Sequence, residues 1–152
     1  MTWNETIENF SHFLKFERNF SDNTLDAYIR DVKKLKAFSE EKLDNTTPDK
    51  ITFENLQEFL LHLTKEKISE RTQARGISSI KSFFKYLIEE EIREDNPSTL
   101  LEGPKLGLYL PDTLSFEDVE KIIKAIDLST DLGVRNHCII EVLYGCGLRV
   151  SE

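Results

Sequence analysis

The fold of this chain is decided by residues 69–91, which read SERTQARGISSIKSFFKYLIEEE. Ser69 is typical of a helix N-cap, with Thr72 three residues later. At about 100° per residue, the apolar side chains of the stretch fall within a band of roughly 140° that must face a core. They are Ile77, Ile80, Phe83, Phe84, Leu87 and Ile88. The stretch therefore predicts a long amphipathic helix that packs against other elements.

The opposite side of this helix is basic, with cations and hydroxyls gathered within roughly 80° and no acid among them. These residues are Arg71, Arg75, Ser78, Ser82 and Lys85, with Lys81 on the flank. The acids Glu89, Glu90 and Glu91 are confined to the end of the helix. Such a face suits phosphate groups, and the alternative is an ordinary solvated face.

Three further helices are predicted before it, over residues 3–16, 22–39 and 53–67. Their apolar residues follow the helical period, and none shows the two-residue alternation of a strand. Thr2, in a Thr-x-x-Glu box, and Thr52 are the expected N-caps of the first and third helices. The second helix is expected to show basic residues that could add to a basic groove: Arg30, Lys33, Lys34 and Lys36. Four helices of this kind make a compact all-α bundle.

The charge of the chain is unusual for a protein that binds phosphates. The 152 residues carry a formal net charge of -8, and residues 1–100 hold 15 basic against 19 acidic side chains. DNA binding responds to the local field, however, so the decisive question is whether the basic residues share one face. Two cysteines without CxxC spacing, and no signal peptide or long apolar run, predict a reduced cytoplasmic setting and no membrane.

A boundary is expected after the bundle, because Asn96-Pro97 disfavours a helix and a Gly- and Pro-containing connector follows. We predict a bundle over residues 1–100, a linker over 101–113 and a second part over 114–152. Within the second part, one helix is expected to start at Ser115 and another to span residues 133–144. About 40 residues lie below the size that usually folds alone, so these helices are expected to need further chain.

The last ten residues, LYGCGLRVSE at 143–152, place an arginine after two glycines. Gly145 and Gly147 are expected to permit a tight turn with unusual dihedrals. The guanidinium of Arg149 offers a planar fork of donors that fits two phosphate oxygens, and Glu152, three residues later, could steady it. The alternative is a surface Arg–Glu pair near a helix start.

Together these segments resemble the Xer-type tyrosine recombinases of the phage integrase family, over nearly the whole chain. The resemblance is carried by the order and spacing of short segments, each weak alone. They are NTLDAY at 23–28 with Asp31, RTQAR at 71–75, IKSFFKYL at 80–87, Asn96-Pro97, Pro104-Lys105, Leu110-Pro111 before Leu114-Ser115, and the GLRVSE box at 147–152.

The resemblance implies an all-α fold: an N-terminal four-helix core-binding (SAM-like) bundle, a linker and the first helices of a truncated catalytic domain. In that family a tyrosine attacks a DNA phosphate to form a 3′-phosphotyrosyl link, without a metal or other cofactor. Arg149 would stabilise charge on the phosphoryl oxygens, with Glu152 in support. The resemblance also implies a set of DNA-binding residues, which are Thr24, Tyr28, Arg71, Thr72, Arg75, Ser78, Lys81, Ser82 and Lys85. Tyr28 is equally compatible with a place in the core.

No segment matches the family's nucleophile, since the four tyrosines of the chain, Tyr28, Tyr86, Tyr109 and Tyr144, all precede Arg149. The full-length parent is therefore expected to be an enzyme, and this chain to be inactive in cleavage.

The implied partners are double-stranded DNA with a palindrome-like recombination site, a homo- or hetero-tetramer of recombinases and a septal DNA translocase, in chromosome dimer resolution. Two alternatives stay open: an integrase of a mobile element, and a non-catalytic helical interaction module, which the acidic charge favours.

Overall fold

The computed structural model describes residues 2–104, 107 and 112–151. These residues form helices and connecting loops, and no β-strand occurs among them. The chain divides into two compact units, Met1–Gly107 and Leu108–Glu152. The predicted all-α class is confirmed.

The first unit holds four α-helices with two shorter helical turns between them. They are α1 (Trp3–His12), a π-helical turn (Phe13–Glu17), α2 (Asp22–Lys42), a 3-10 turn (Pro48–Lys50), α3 (Phe53–Lys65) and α4 (Glu70–Glu89). The predicted N-caps are confirmed, because the hydroxyls of Thr2, Thr52 and Ser69 each accept the backbone N–H three residues later.

The helix ends differ from the predicted ones because left-handed residues stop the helices without glycine. α3 and α4 each end two residues before the predicted end, and Lys67 and Glu91 follow with φ of 56° and 55°. After α4, the Glu91 N–H donates to the Ile88 carbonyl at 3.0 Å and the Ile92 N–H to the Leu87 carbonyl at 2.9 Å. This is a Schellman cap, which usually contains glycine and here contains a glutamate.

α4 lies at the centre of the first unit and is buried over more of its circumference than the apolar band predicts. Ser79 and Tyr86 lie outside that band and are nevertheless buried. The Tyr86 ring lies 5.3 Å from the ring of Phe10 and 5.1 Å from that of Phe13, between centroids. The cause is tertiary, because α1 and its π-helical turn cover one flank of α4 while α2 covers another.

Arg93 ties the end of α4 to the loop before α3. Its Nη1 donates to the Pro48 carbonyl at 3.0 Å and to the Ile51 carbonyl at 2.8 Å, and its guanidinium lies over the Phe84 ring. The chain continues to pack on the bundle after this point, since Leu101, in the predicted linker, is buried in the core.

The second unit contains α5 (Phe116–Lys124) and α6 (Asp131–Gly145). Ser115 and Asp118 form the predicted capping box of α5. α6 starts two residues before the predicted Gly133 because the Thr130 hydroxyl accepts the Gly133 N–H at 3.1 Å. Glycine is required there, since a Cβ would lie 1.7 Å from the Asp127 carbonyl oxygen.

The second unit leaves much of its apolar surface exposed. Its exposed large apolar residues are Leu114, Phe116, Ile122, Leu128, Leu132, Val134, Ile139, Val142, Tyr144, Leu148 and Val150. In the part of the chain that the structure describes, no helix is both long and apolar enough to cross a membrane.

Candidate nucleic-acid interface

The predicted phosphate-binding residues of α4 lie along one side of the helix, and we refer to them as the α4 basic stripe. It consists of Arg71, Arg75, Ser78, Lys81, Ser82 and Lys85. Arg71, Ser78 and Lys85 are exposed, whereas Arg75, Lys81 and Ser82 are half-buried. The stripe keeps its positive groups accessible on a helix whose other sides are packed, as binding to a charged polymer requires.

A shallow recess of about 320 Å³ opens at the C-terminal end of the stripe. Lys81, Ser82 and Lys85 line one side of it. The rings of Phe13 and Phe20 line the recess as well, next to Arg18 and Glu89. Cations beside aromatic rings offer both charge and stacking surface, a combination found at nucleic-acid interfaces.

The recess is less positive than the helical wheel of α4 alone indicates, because Glu89 belongs to it. Arg18 Nη2 donates to both carboxylate oxygens of Glu89, at 2.9 and 3.0 Å. Lys85 Nζ lies 3.6 Å from Glu89 Oε1. The π-helical turn delivers Arg18 to this place and sets its guanidinium 5.2 Å from the centroid of the Phe13 ring. Sequence reasoning missed Arg18, since a lone arginine in a connecting segment carries no pattern.

A second acid, Asp31 of α2, lies under the middle of the α4 basic stripe. Its carboxylate pairs with Arg75 at 2.9 Å between Nη1 and Oδ2, and accepts the Ser79 hydroxyl at 3.0 Å. The α4 basic stripe itself contains no acid, but in the folded unit Asp31 of α2 and Glu89 at the end of α4 lie next to it. Both acids are neutralised by arginines, so the surface keeps its excess of cations.

The remaining predicted DNA-binding residues have local roles as well. The Thr24 hydroxyl lies 3.0 Å from the Ser21 hydroxyl and is exposed, at the N-terminus of α2. The Tyr28 ring packs edge-on against Phe20 and is half-buried. Thr72 Oγ1 lies 2.9 Å from the capping hydroxyl Ser69 Oγ. Tyr28 thus contacts Phe20, which lines the recess, whereas Thr72 belongs to the cap of α4.

The basic residues of α2 do not form one groove with the α4 basic stripe. Lys33 and Lys36 line a cleft of about 510 Å³ between α1 and α2. Lys36 donates to the Asn4 amide oxygen at 2.8 Å, across that cleft. Among these basic residues of α2, Lys34 approaches the stripe, since its Nζ lies 3.9 Å from Asp31 Oδ1. The predicted groove is thus divided between two faces of the bundle.

In the second unit, the turn that carries Arg149 is a Schellman cap on α6. The Gly147 N–H donates to the Tyr144 carbonyl at 3.3 Å and the Leu148 N–H to the Leu143 carbonyl at 2.9 Å. Gly147 has φ of 63°, as the motif requires. Gly145 is instead the last residue of α6, so the expectation of unusual dihedrals is correct for Gly147 alone. Arg149 is exposed just after this turn, and Glu152 lies outside the described residues.

The two glycines should therefore respond oppositely to alanine. Gly147→Ala is expected to speed exchange of the Leu148 amide about fivefold or more, since a left-handed alanine costs roughly 1–2 kcal/mol. Gly145→Ala is the control and should slow this exchange or leave it unchanged. Alanine favours a helix more than glycine does, and the Cβ added at position 145 would meet no neighbouring atom within 4 Å. Hydrogen exchange followed by NMR measures both, and equal rates in the two variants would contradict the cap.

A search for known families gives a match over most of the first unit. Residues 7–91 match the phage integrase N-terminal SAM-like domain. The chain belongs to this family. The match runs from Ile7 within α1 to the end of α4 and includes the whole α4 basic stripe, so the surface described above lies within the family's domain.

Known proteins similar to the chain over nearly its full length are tyrosine recombinases. It is 42% identical over 146 residues, or 96% of the chain, to tyrosine recombinase XerD of Oceanobacillus iheyensis. It is 38% identical over 149 residues to XerD of Listeria innocua. The chain spans about half the length of these relatives, 49% and 50% respectively. The predicted resemblance to the Xer-type recombinases is confirmed.

Among solved structures, the fold is similar to that of the Tn1549 transposon integrase in complex with circular intermediate DNA. The TM-score is 0.62, and the match covers 97% of this chain and 47% of the integrase. At 18% identity this similarity concerns the fold.

Proposed function

We propose that this chain is the DNA-binding N-terminal half of a site-specific tyrosine recombinase, acting through a 3′-phosphotyrosyl intermediate in Xer-like chromosome dimer resolution. The observation that carries the proposal is the α4 basic stripe, whose residues are exposed or half-buried on a bundle of the phage integrase family. Phosphate contacts supply most of the affinity of such proteins for DNA, and this surface concentrates the donors that make them.

Each part of the chain has a role in this proposal. Residues 1–100 form the DNA-binding domain, residues 101–113 the linker and residues 114–152 the start of the catalytic domain. Arg149 stabilises negative charge on the scissile phosphate, and Glu152 steadies its guanidinium. The position of Arg149 after a rigid helix cap supports this role, because charge stabilisation depends on donors held in place before the reaction.

We propose further that the 152-residue chain does not cleave DNA by itself. Burial raises the pKa of the Tyr86 phenol, and Glu90 and Glu17 add to this effect. Tyr86 is buried, which does not favour a role as a nucleophile, and the Tyr28 ring is half-buried against Phe20. Tyr144 is exposed and is the tyrosine to examine, while Tyr109 lies outside the described residues.

The α4 basic stripe supports DNA as a partner, and the other proposed partners are those that the resemblance to the Xer-type recombinases implies. Together the proposed partners are a DNA duplex with a palindrome-like site, a homo- or hetero-tetramer of recombinases in the complete protein and a septal DNA translocase. The proposed location is the cytoplasm, where the exposed thiols of Cys138 and Cys146 would stay reduced.

The proposal is tested by titrating a fluorescein-labelled duplex with the chain and following anisotropy at several salt concentrations. Six phosphate contacts should give a slope of about -5 in log K against log salt, with micromolar binding at low salt. A non-catalytic interaction module would show no DNA binding at any salt, and that result would overturn the proposal.

The same preparation is then incubated with a nicked duplex that traps covalent protein–DNA adducts. We expect no adduct stable to SDS from this chain, and an adduct from a full-length XerD as positive control. An adduct with the chain would show that one of its own tyrosines, first of all Tyr144, is a nucleophile. A mobile-element integrase is the alternative within the same chemistry, and it is distinguished by preference for element ends over chromosomal sites.

A further inference from the structure

Asp31 is a buried carboxylate whose partners come from α2 and α4. It is 4% exposed, and its oxygens contact three side chains. Arg75 Nη2 donates to Oδ1 at 3.3 Å, Arg75 Nη1 lies 2.9 Å from Oδ2, and Ser79 donates to Oδ2 at 3.0 Å. Lys34 Nζ lies 3.9 Å from Oδ1. The arrangement is a bidentate arginine–carboxylate pair with its acid sealed inside the bundle.

The guanidinium of Arg75 uses one edge for these contacts and leaves the other edge open. Nη1 also donates to the Ala27 carbonyl at 3.2 Å, so the end formed by Nη1 and Nη2 is occupied. The Nε–H and the second Nη2–H have no partner among the described residues. Nε is not sealed in the interior, because in the part of the chain described the single buried polar side-chain atom without a partner is Arg93 Nε. The Arg75 side chain as a whole is partly exposed.

An arginine that is already held in place binds a phosphate at a lower entropic cost than a mobile arginine does. A long side chain loses rotamer freedom when it binds a phosphate, and this loss weakens binding. Arg75 is 36% exposed and already fixed by Asp31 and Ala27, so much of that loss has occurred on folding. An Nε–Nη2 edge held in place matches two phosphate oxygens with the same geometry as the edge that holds Asp31.

We propose that Asp31 is a positioning residue for DNA binding: it fixes Arg75 so that the open Nε–Nη2 edge of the guanidinium receives a backbone phosphate. This inference rests on the proposed DNA binding of the α4 basic stripe. It assigns a favourable role in binding to an acid, which simple electrostatics would count as unfavourable.

The effect of one substitution on DNA affinity distinguishes a positioning role of Asp31 from simple electrostatic repulsion, because the two predict changes in opposite directions. Asp31→Asn keeps the shape of the side chain and removes one negative charge close to the stripe. Electrostatics alone predicts tighter DNA binding, since a repulsive charge is lost. Positioning predicts weaker binding, by roughly three- to tenfold, because Arg75 must then be ordered when the phosphate binds.

The experiment measures duplex affinity by anisotropy at fixed low salt, with circular dichroism to establish that each variant is folded. Glu40→Gln is the matched control, because it removes an exposed acid from the same helix, on the side that lines the α1–α2 cleft. We expect Glu40→Gln to bind as tightly as the unmodified chain or slightly more tightly. Asp31→Asn binding as tightly as that control would overturn the inference.

A second variant decides the question even where Asp31→Asn does not fold. Arg75→Lys keeps the positive charge and can still pair with Asp31, but an ammonium lacks a second edge. We expect it to weaken binding about as much as Asp31→Asn, again roughly three- to tenfold. Unchanged affinity of Arg75→Lys would overturn the inference, whereas absence of binding by the unmodified chain would instead overturn the proposed function.

Discussion

Replacing Lys81 and Lys85 together with alanine is expected to weaken duplex binding by roughly 100-fold at about 50 mM salt. Both lysines line the recess at the end of the α4 basic stripe, where DNA phosphates would meet them. Each lost phosphate contact should also reduce the slope of log K against log salt by about 0.9. Anisotropy titrations of the double variant over a series of salt concentrations measure both quantities.

The matched control removes the same charge from the other face of the bundle. Lys33→Ala with Lys36→Ala takes two lysines from the α1–α2 cleft, so the net charge of the two double variants is equal. We expect the control to lose little affinity and to keep the salt slope of the unmodified chain. Equal losses in the two double variants would show that total charge, and not the α4 basic stripe, governs binding.

Phe83→Ala is expected to lower the free energy of unfolding of the first unit by about 3–5 kcal/mol. The ring is fully buried and contacts four others, with centroids 5.9 Å from Trp3, 5.3 Å from Phe10, 5.5 Å from Phe84 and 6.5 Å from Tyr86. Its removal leaves a cavity at the junction of α1 and α4, so the cost includes lost contacts as well as lost burial.

Urea unfolding followed by tryptophan fluorescence measures this loss in the first unit alone, since Trp3 is the single tryptophan of the chain. Leu61→Ala is the control, because Leu61 is 62% exposed on α3 and its truncation should change stability by about 0.5 kcal/mol or less. Similar unfolding midpoints for Phe83→Ala and the unmodified chain would contradict the central place of α4 in the core.

Much of the fold follows from local sequence signals. Hydroxyl residues mark the starts of α1, α3, α4 and α5, because each accepts a backbone N–H that the helix leaves unpaired. The helix ends do not follow in the same way. Asp44, Lys67 and Glu91 take the left-handed conformation after α2, α3 and α4, and none of them is the glycine that usually indicates such an end.

The sequence predicts which residues of α4 share the basic side of the helix, but it does not predict which residues of other segments lie next to them. The helical period places the cations of α4 on one side, since that depends on spacing along a single helix. The groups that modify this surface come from other segments: Asp31 comes from α2, and Arg18, the partner of Glu89 at the end of α4, follows the π-helical turn. Contacts between distant segments depend on how helices pack, and no periodicity within one segment encodes them.

The sequence by itself determined the all-α class, the caps that start the helices, the apolar face of α4 and the family, because these depend on residue type and short-range spacing. Tertiary structure alone decided that Arg75 is held by a buried acid, that Arg18 joins the recess and that Lys33 and Lys36 lie on another face. The physical reason is that side-chain pairing between helices is set by the packing of the whole core, which fixes the angle and register at which α1, α2 and α4 meet.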